Sequence, residues 1–383
     1  MDFPFSFTQK SSILLIFFFN GIVFSSVLLR KGIINQNSKS KWLSFLLFLG
    51  ALYIAPYMLG YAGWYSRQVT REIVFFIPFM QVLVIGPVLY FYIKSLLFSD
   101  FRFTKKDWWH FLPGILYLGY SLIVFITDKF IVDEFYFYAD GRDKDLKTWY
   151  QLTGLLSIST YLILSLQNYL RYKKAIFETL SFADTVLFQW IQNFLISFLL
   201  LIFLRILFFI VNPQWAEFGN QFWYYLCFSL VFFYIAFNGY ALDIKTSFFV
   251  FENVEEPTEN DDEKITQSTI DVDFWKSKIE KIIKEKKLFE NPKLTLIDIA
   301  NQLETTTKIV STAINSGYNK NFNDFINEYR VEAFKEKINQ DQHQKNTLLG
   351  LALDCGFNSK ATFNRAFKKA TSLTPNQYIK DKK

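Results

Sequence analysis

The sequence predicts an all-α protein in two parts: a seven-helix transmembrane bundle, and then a seven-helix domain that contains two helix-turn-helix units. Three observations predict this. Phe is used 46 times in 383 residues, and nearly all the long Phe, Leu and Ile runs precede residue 250. Residues 1–270 carry 21 basic and 21 acidic side chains, so the whole net charge of +6 lies in residues 271–383. Beyond residue 270, apolar residues recur at helical spacing.

Seven apolar stretches have the length of about 20 residues that a helix needs to cross a bilayer. They lie at residues 12–29, 42–61, 73–97, 109–127, 150–170, 188–211 and 222–242. Strands of a membrane barrel would be about half as long and would alternate in polarity. We therefore predict a multi-pass membrane domain over residues 1–246. The first stretch is followed at once by Arg30 and Lys31 and has no small-residue cleavage site, so we expect a span and not a signal peptide.

The basic residues of the short loops predict the orientation of these spans. The loops after the first, third and fifth spans carry 11 Lys and Arg, and the segments on the opposite side carry seven. The loop 128–147 on that opposite side is also rich in Asp. Positively charged loops stay in the cytoplasm. We therefore expect the N-terminus outside the cell membrane and the C-terminal domain in the cytoplasm.

Arg205 is a charged residue inside the predicted span 188–211. A charge at bilayer depth costs at least about 2.5 kcal/mol on insertion scales, so this side chain should face the interior of the bundle. Two interpretations stay open: a pocket that senses a ligand or signal, or an interhelical hydrogen bond or a side chain that reaches the membrane surface. The candidate polar partners are Gln81, Gln192, Asn193 and Asn238.

Residues 247–270 are predicted to be a disordered acidic linker. Seven carboxylates lie between Glu252 and Glu263, with Pro257 among them and no basic residue before Lys264. Low hydrophobicity with high net charge does not support a packed core. The linker separates the membrane domain from a third region, residues 271–383.

The first helix-turn-helix unit is predicted after Pro292. Thr295 and Asp298 form a capping box for a short helix, and a second helix begins at Thr306 or Thr307. One face of the second helix is apolar, and the other is polar and small enough to enter a major groove. The predicted DNA-contacting residues of this unit are Thr306, Thr307, Lys308, Ser311, Thr312 and Asn315.

A long helix at about 321–338 then leads to a second unit, about 53 residues after the first. Thr347 opens its short helix, Cys355-Gly356-Phe357 forms the turn, and Ser359 caps the next helix. Two such units on one chain can place two helices in successive major grooves, about 34 Å apart. Lys335, Lys368 and Lys369 suit phosphate contacts. The predicted DNA-contacting residues here are Ser359, Lys360, Ala361, Asn364, Arg365 and Lys368.

These motifs resemble the DNA-binding domain of the AraC/XylS family over residues of about 275–380. The resemblance is carried by segments that stand in this sequence as LIDIA at 296–300, FINEYR at 325–330, CGFNS at 355–359, FNRAFKK at 363–369 and TP at 374–375. It implies sequence-specific promoter binding and control of transcription. Four residues depart from the family pattern: Glu304 replaces a common Gly, Thr312 a bulkier or basic side chain, Cys355 precedes the turn Gly, and Ser372 replaces another Gly.

Few residues are available for catalysis or metal binding. The chain has two Cys, Cys227 and Cys355, and two His, His110 and His343, so we expect no disulfide framework, zinc site or His-based triad. No catalytic motif is visible, and we expect neither enzymatic activity nor a cofactor.

The sequence thus predicts a membrane-anchored, one-component sensor and transcription regulator. Its partners would be double-stranded promoter DNA, the lipid bilayer and RNA polymerase, and a second copy could pair with it because the membrane raises effective concentration. Two alternatives stay open. The membrane domain could be an anchor only, or the chain could be a receptor or transporter whose C-terminal helices bind a protein.

Overall fold

The computed structural model describes residues 5–98, 101–183, 188–212, 218–246, 271–340 and 346–381. The chain divides into two compact units. The first comprises Met1–Tyr169 and Gln189–Glu256, and the second comprises Leu170–Phe188 and Pro257–Lys383. Within the described ranges the only β-structure is an isolated antiparallel bridge, which confirms the predicted all-α class. The predicted acidic linker lies outside the described residues.

The first unit is a bundle of long helices. Its helices are α1 Gln9–Ile34, α2 Ser38–Tyr61, α3 Gln68–Phe76, α4 Val82–Leu97, α5 Leu112–Ile126, α6 Thr148–Thr179 (whose last residues belong to the second unit), α7 Phe188–Val211 and α8 Phe218–Thr246. Among the residues that the structure describes, five helical segments are long and apolar enough to cross a membrane. They are Gln9–Ile34, Ser38–Tyr61, Lys105–Ile131, Gln189–Val211 and Asn220–Ala241.

The two remaining predicted spans have a different form. The stretch 73–97 is divided between α3 and α4, and Pro78 lies in the break. Proline has no N–H to continue a helix and clashes with the preceding turn, so α4 is a shorter apolar helix of 16 residues. The stretch 150–170 lies within α6, which is helical throughout but is not among the five candidate spans. Pro56 and Pro87 lie inside continuous helices.

Small residues allow α1 and α2 to pack closely. A Cβ on Gly21 would lie 3.0 Å from the Cβ of Ala51. The Ser44 hydroxyl donates to the Ser25 carbonyl at 2.7 Å, and the Ser25 hydroxyl donates to the Ser44 carbonyl at 2.9 Å. Small side chains and interhelical hydroxyl bonds are typical of helix pairs in membranes, where apolar burial alone gives little driving force.

The second unit contains seven α-helices in residues 271–340 and 346–381, in agreement with the predicted number. They are α9 Val272–Glu285, α10 Leu296–Gln302, α11 Thr307–Tyr318, α12 Phe322–Asn339, α13 Leu348–Asp354, α14 Lys360–Thr371 and α15 Pro375–Asp381. The predicted start is confirmed at α10, where Thr295 and Asp298 bond reciprocally. Pro375 is the first residue of α15, and Thr374 caps this helix. Ser359 caps α14.

This C-terminal domain has two hydrophobic cores, and α12 contributes to both. Its N-terminal half places Phe322, Phe325 and Ile326 in the core formed with α9, α10 and α11. Its C-terminal half places Val331 and Phe334 in the core formed with α13, α14 and the intervening turn. Because α12 is one continuous helix, it joins the two helix-turn-helix units as a stiff connection.

Candidate nucleic-acid interface

In the first helix-turn-helix unit, α11 has one buried and one accessible face. Val310, Ala313 and Ile314 are buried, and their periodicity fixes the rotation of the helix. Lys308 is fully on the exposed side, while Ser311, Thr312 and Asn315 are half-buried. The Asn315 amide donates to the Ser311 hydroxyl at 3.3 Å, so these two polar groups are held together one turn apart. All of the residues predicted to contact DNA in this unit lie on α11 or at its cap.

The second unit repeats this arrangement with more charge. Thr362, Phe363 and Phe367 are buried on the inner face of α14. The predicted contact residues of this helix are exposed: Lys360, Ala361, Asn364, Arg365 and Lys368. Cationic and amide side chains of this length are those that reach phosphates and base edges in a major groove.

Two of the twelve predicted contact residues also cap the helices on which the others lie. Thr306 caps α11 by accepting from the Ile309 N–H at 3.4 Å. Ser359 caps α14 by accepting from the Thr362 N–H at 3.1 Å. Satisfying the first N–H groups of a helix stabilises it by about 1 kcal/mol. We call α11 and α14 the recognition helices. The two hydroxyls therefore stabilise the recognition helices and also lie beside their outer faces.

Two lysines that the sequence suggested for phosphates are engaged in ion pairs. Lys369 contacts Asp324 at 2.6 Å, and Lys335 contacts Glu332 at 2.8 Å. Both pairs are at the surface, where such contacts stabilise a protein by at most about 1 kcal/mol. A nearby phosphate could replace either carboxylate at small cost.

Sequence reasoning noted Arg330 within the family motif and missed its position in the domain. Its side chain is 1% exposed and lies on α12 between the two cores. Its guanidinium lies 5.9 Å from the ring of Phe357, which belongs to the turn of the second unit. Burial lowers the pKa of Arg330 to about 10, which still leaves it charged at neutral pH. The available signal was an Arg within an otherwise apolar helical stripe.

In the helical bundle that forms the first compact unit of the chain, Arg205 lies at a cavity of about 50 Å³. Its side chain is 4% exposed. Its Nη2 donates to Oε1 of Gln151 at 2.6 Å, and its guanidinium lies 4.5 Å from the Tyr224 ring. Most of the wall is apolar, including Leu46, Ile85 and Phe198. The space exceeds the roughly 10–15 Å³ that one water molecule needs.

The four amides suggested as partners of Arg205 have other contacts. Gln81 donates to the Pro78 carbonyl, Asn193 accepts from Gln189, and Asn238 donates to the Tyr234 carbonyl. Gln192 lies beside Tyr169. The prediction that Arg205 faces the interior of the bundle is thus confirmed. Its neighbours are Gln151 and Tyr224 and not the four suggested amides. The sequence did not identify them, because their distances from Arg205 depend on how α6, α7 and α8 pack.

Within the described ranges, no three His, Cys, Asp or Glu side chains form a group that could hold a metal ion. The free Cys355 is buried and Cys227 is half-buried.

Comparison with known proteins gives one finding. Residues 299–381 match the family model described as a helix-turn-helix domain, which covers the end of α10 through α15. Among curated proteins and among solved structures, no significant match to the chain was found. The matched region contains both turns and both recognition helices. The C-terminal part of this chain is thus an AraC-type helix-turn-helix domain, the DNA-binding domain of a transcription regulator.

Proposed function

We propose that the protein is a membrane-anchored, sequence-specific transcription regulator. In this proposal, a signal received by the helical bundle of the first compact unit changes promoter binding by the C-terminal helix-turn-helix domain. One observation carries the proposal: a domain with two outward-facing recognition helices is fused to a bundle with five helices of spanning length. RNA polymerase contact and pairing of two copies belong to the same proposal.

The surface of the first unit supports membrane anchoring. Large apolar side chains are exposed along the candidate spans, among them Phe19 on α1, Leu116 on α5 and Leu199 and Ile210 on α7. Apolar patches on water-soluble proteins rarely exceed a few hundred Å². Because these residues extend along whole helices, a lipid surround accounts for them better than water does.

The loop between α6 and α7 supports a cytoplasmic C-terminal domain. Leu180–Ala183 of this loop belong to the same compact unit as the helix-turn-helix domain, so both would lie on one side of a bilayer. Arg171, Lys173 and Lys174 precede this segment. Basic residues next to a span favour the cytoplasmic side, which is also the side where DNA is found.

The cavity at Arg205 is our candidate for the sensing site. A buried cation beside an apolar wall would attract a small anionic group that carries an apolar portion. Arg205 is also connected to the loop that precedes α6: Gln151, its partner, donates from Nε2 to the Asp145 carbonyl at 2.6 Å. A ligand that displaced Gln151 would therefore disturb the loop that precedes α6.

Selection of DNA by the full-length protein in lipid nanodiscs tests the main proposal. Random duplexes would be enriched, and the affinity of the enriched duplex would then be measured against salt. We expect a motif with two half-sites about one helical turn apart. The double variant Lys360→Ala/Arg365→Ala should lose at least about tenfold in affinity.

A matched control removes two charges elsewhere in the same domain. Lys278 and Lys281 lie on α9, outside the two recognition helices, and are exposed, and their replacement by Ala should change affinity by less than the Lys360 and Arg365 replacements. Weak binding without a motif, abolished by modest salt, would contradict the proposal, since basic charge alone gives that behaviour. It would favour the alternative, a membrane receptor or transporter with a protein-binding C-terminal module.

A further inference from the structure

Leu180 and Ser181, which follow α6, are seated on the helix-turn-helix domain. The Ser181 N–H donates to the Leu294 carbonyl at 3.1 Å, next to an antiparallel bridge between Leu180 and Thr295. The Asn323 amide donates to the Leu180 carbonyl at 3.2 Å. Two consecutive residues, Leu180 and Ser181, are thus bound, and Ser181 itself is buried.

Arg330 is the centre of this contact, and all five of its N–H groups are used. Nη1 donates to the Ser181 carbonyl at 3.0 Å, and Nη2 donates to the Ser181 hydroxyl at 3.0 Å. The other three go to the Phe289 carbonyl, the Asn291 carbonyl and the Asn327 side chain at 2.8, 2.9 and 3.1 Å. A guanidinium has five such donors, so removal of the segment leaves two donors of a buried cation without acceptors.

The position of Arg330 is the junction of the two helix-turn-helix units. Phe289 and Asn291 precede the first unit, and Phe357 of the second unit lies against the guanidinium. A Cβ on Gly356 would lie 2.2 Å from the Phe289 carbonyl oxygen, so the turn of the second unit packs directly on the chain that enters the first. A contact that stabilises Arg330 therefore stabilises the relative arrangement of the two units.

The recognition helices take no part in the contact. The residues that bond to Leu180 and Ser181 precede α10 or lie on α12, whereas Lys308 on α11 and Arg365 on α14 stay exposed. Docking of the segment and binding of DNA are therefore compatible, and the docked form can be the DNA-binding form.

We infer that Leu180–Ala183 is an internal docking partner that fixes the two units in the arrangement that binds two half-sites at once, with Arg330 as the positioning residue. The inference rests on the proposed function. Because Ser181 follows α6 by two residues, a shift of α6 at its end would pull on this contact. Release would loosen the junction and lower affinity for a two-site duplex.

Ser181→Ala in the full-length chain in nanodiscs tests this. The change removes one of the two acceptors that Ser181 gives to Arg330 and leaves the fold of the domain intact. We expect a loss of about fivefold to tenfold in affinity for the enriched two-site duplex, the usual effect of one bond to a charged group. Affinity for a duplex with a single half-site should not change, since each unit keeps its own core.

Thr179→Ala is the matched control, because the Thr179 hydroxyl donates to the Ala175 carbonyl of its own helix and not to Arg330. A second experiment closes the contact covalently. In a chain with Ser181→Ala, Leu180→Cys and Thr295→Cys, paired positions of an antiparallel bridge are close enough for a disulfide. Oxidation should restore the two-site affinity. The reduced form of the same chain is the control, because it has also lost the Thr295 cap.

The outcomes separate the inference from the function on which it rests. If the unmodified chain enriches no motif, the proposed function fails and the inference fails with it. If it binds its motif but Ser181→Ala leaves two-site affinity unchanged, or tightens it, only the inference is overturned. An equal loss on one-site and two-site duplexes also overturns it, since the contact would then support the fold of a unit and not the arrangement of both.

Discussion

The turns of the two helix-turn-helix units share one backbone pattern but have different residues at its centre. In the first, Thr305 N–H bonds to the Ala300 carbonyl at 3.0 Å, and in the second, Phe357 N–H bonds to the Ala352 carbonyl at 3.2 Å. These are the bonds of a helix end whose next residue is left-handed. That residue is Glu304 with φ 51° in the first turn and Gly356 with φ 89° in the second.

Surroundings explain the difference. Glu304 is exposed, so its side chain points into solvent and only the backbone cost of a positive φ is paid. Gly356 is buried, and the Phe289 carbonyl and the Glu290 backbone occupy the place of a Cβ. The first turn therefore tolerates a residue with a side chain such as Glu at a modest cost, whereas the second requires glycine because it forms part of the junction between units.

The outer faces differ in a related way. The first recognition helix exposes one cation, Lys308, among hydroxyl and amide groups, while the second carries Lys360, Arg365 and Lys368 on its exposed side. Because phosphate contacts supply much of the affinity and polar base contacts the specificity, we expect the second unit to dominate the affinity of the pair.

Gly356→Ala should give the largest effect. A left-handed Ala and the overlap with the Phe289 carbonyl together should destabilise the second unit by about 3–5 kcal/mol. Hydrogen exchange of the full-length protein, followed on peptides of residues 348–371, measures this. Gly317→Ala is the control, since a Cβ there would meet only ordinary contacts at 3.4 Å or more. Equal protection from hydrogen exchange in the Gly356→Ala and Gly317→Ala variants would contradict the inference that the second turn requires glycine.

The thiol of Cys355, which precedes Gly356, should be unreactive in the folded protein. Burial raises the pKa of Cys355 to about 11 from an ordinary 9.0, so the thiolate at pH 8 is about a hundredfold scarcer than in the denatured chain. The stabilisation from the neutral thiol is complete below the ordinary pKa and is lost as pH rises towards 11. Alkylation rates read by mass spectrometry test this; equal rates in folded and denatured protein would contradict a packed second turn.

Arg365→Ala should weaken DNA binding more than Thr312→Ala. Loss of an Arg that contacts a base or a phosphate costs about 1–3 kcal/mol, or about fivefold to 150-fold in affinity, whereas a single hydroxyl contact costs about threefold. Titration of the enriched duplex at several salt concentrations separates the two, because only the Arg365 variant should show a shallower salt dependence when its partner is a phosphate. A larger effect of Thr312 would reverse the assignment of affinity to the second unit.

Glu304→Gly should give the smallest effect and the opposite sign. Glycine relieves the positive φ, and the larger freedom of the unfolded chain offsets part of this gain, so the first unit should become more stable by at most about 1 kcal/mol. Exchange protection of peptides from residues 296–318 is the measurement. Clear destabilisation would mean that the Glu304 side chain has a role that its exposure does not indicate.

Local patterns predicted much of this molecule. Helix starts at Thr295, Ser359 and Thr374 follow from capping residues three positions from their partners, and the two short helices follow from apolar spacing. The failures concern distant contacts. The stretch 73–97 was expected to form one span but is divided at Pro78, and the four amides suggested for Arg205 have other neighbours.

The sequence by itself determined that the protein is helical, that its charge and its apolar stretches lie in different regions, and that two recognition helices carry polar outer faces. Those features depend on residues within a few turns of each other, whose spacing is visible along the chain. Only the tertiary structure decided that Ser181 meets Arg330, that Gln151 meets Arg205, and that the second turn needs glycine where the first does not. Each of these joins residues far apart in sequence, and a buried charge or a missing Cβ has meaning only once its neighbours in space are known.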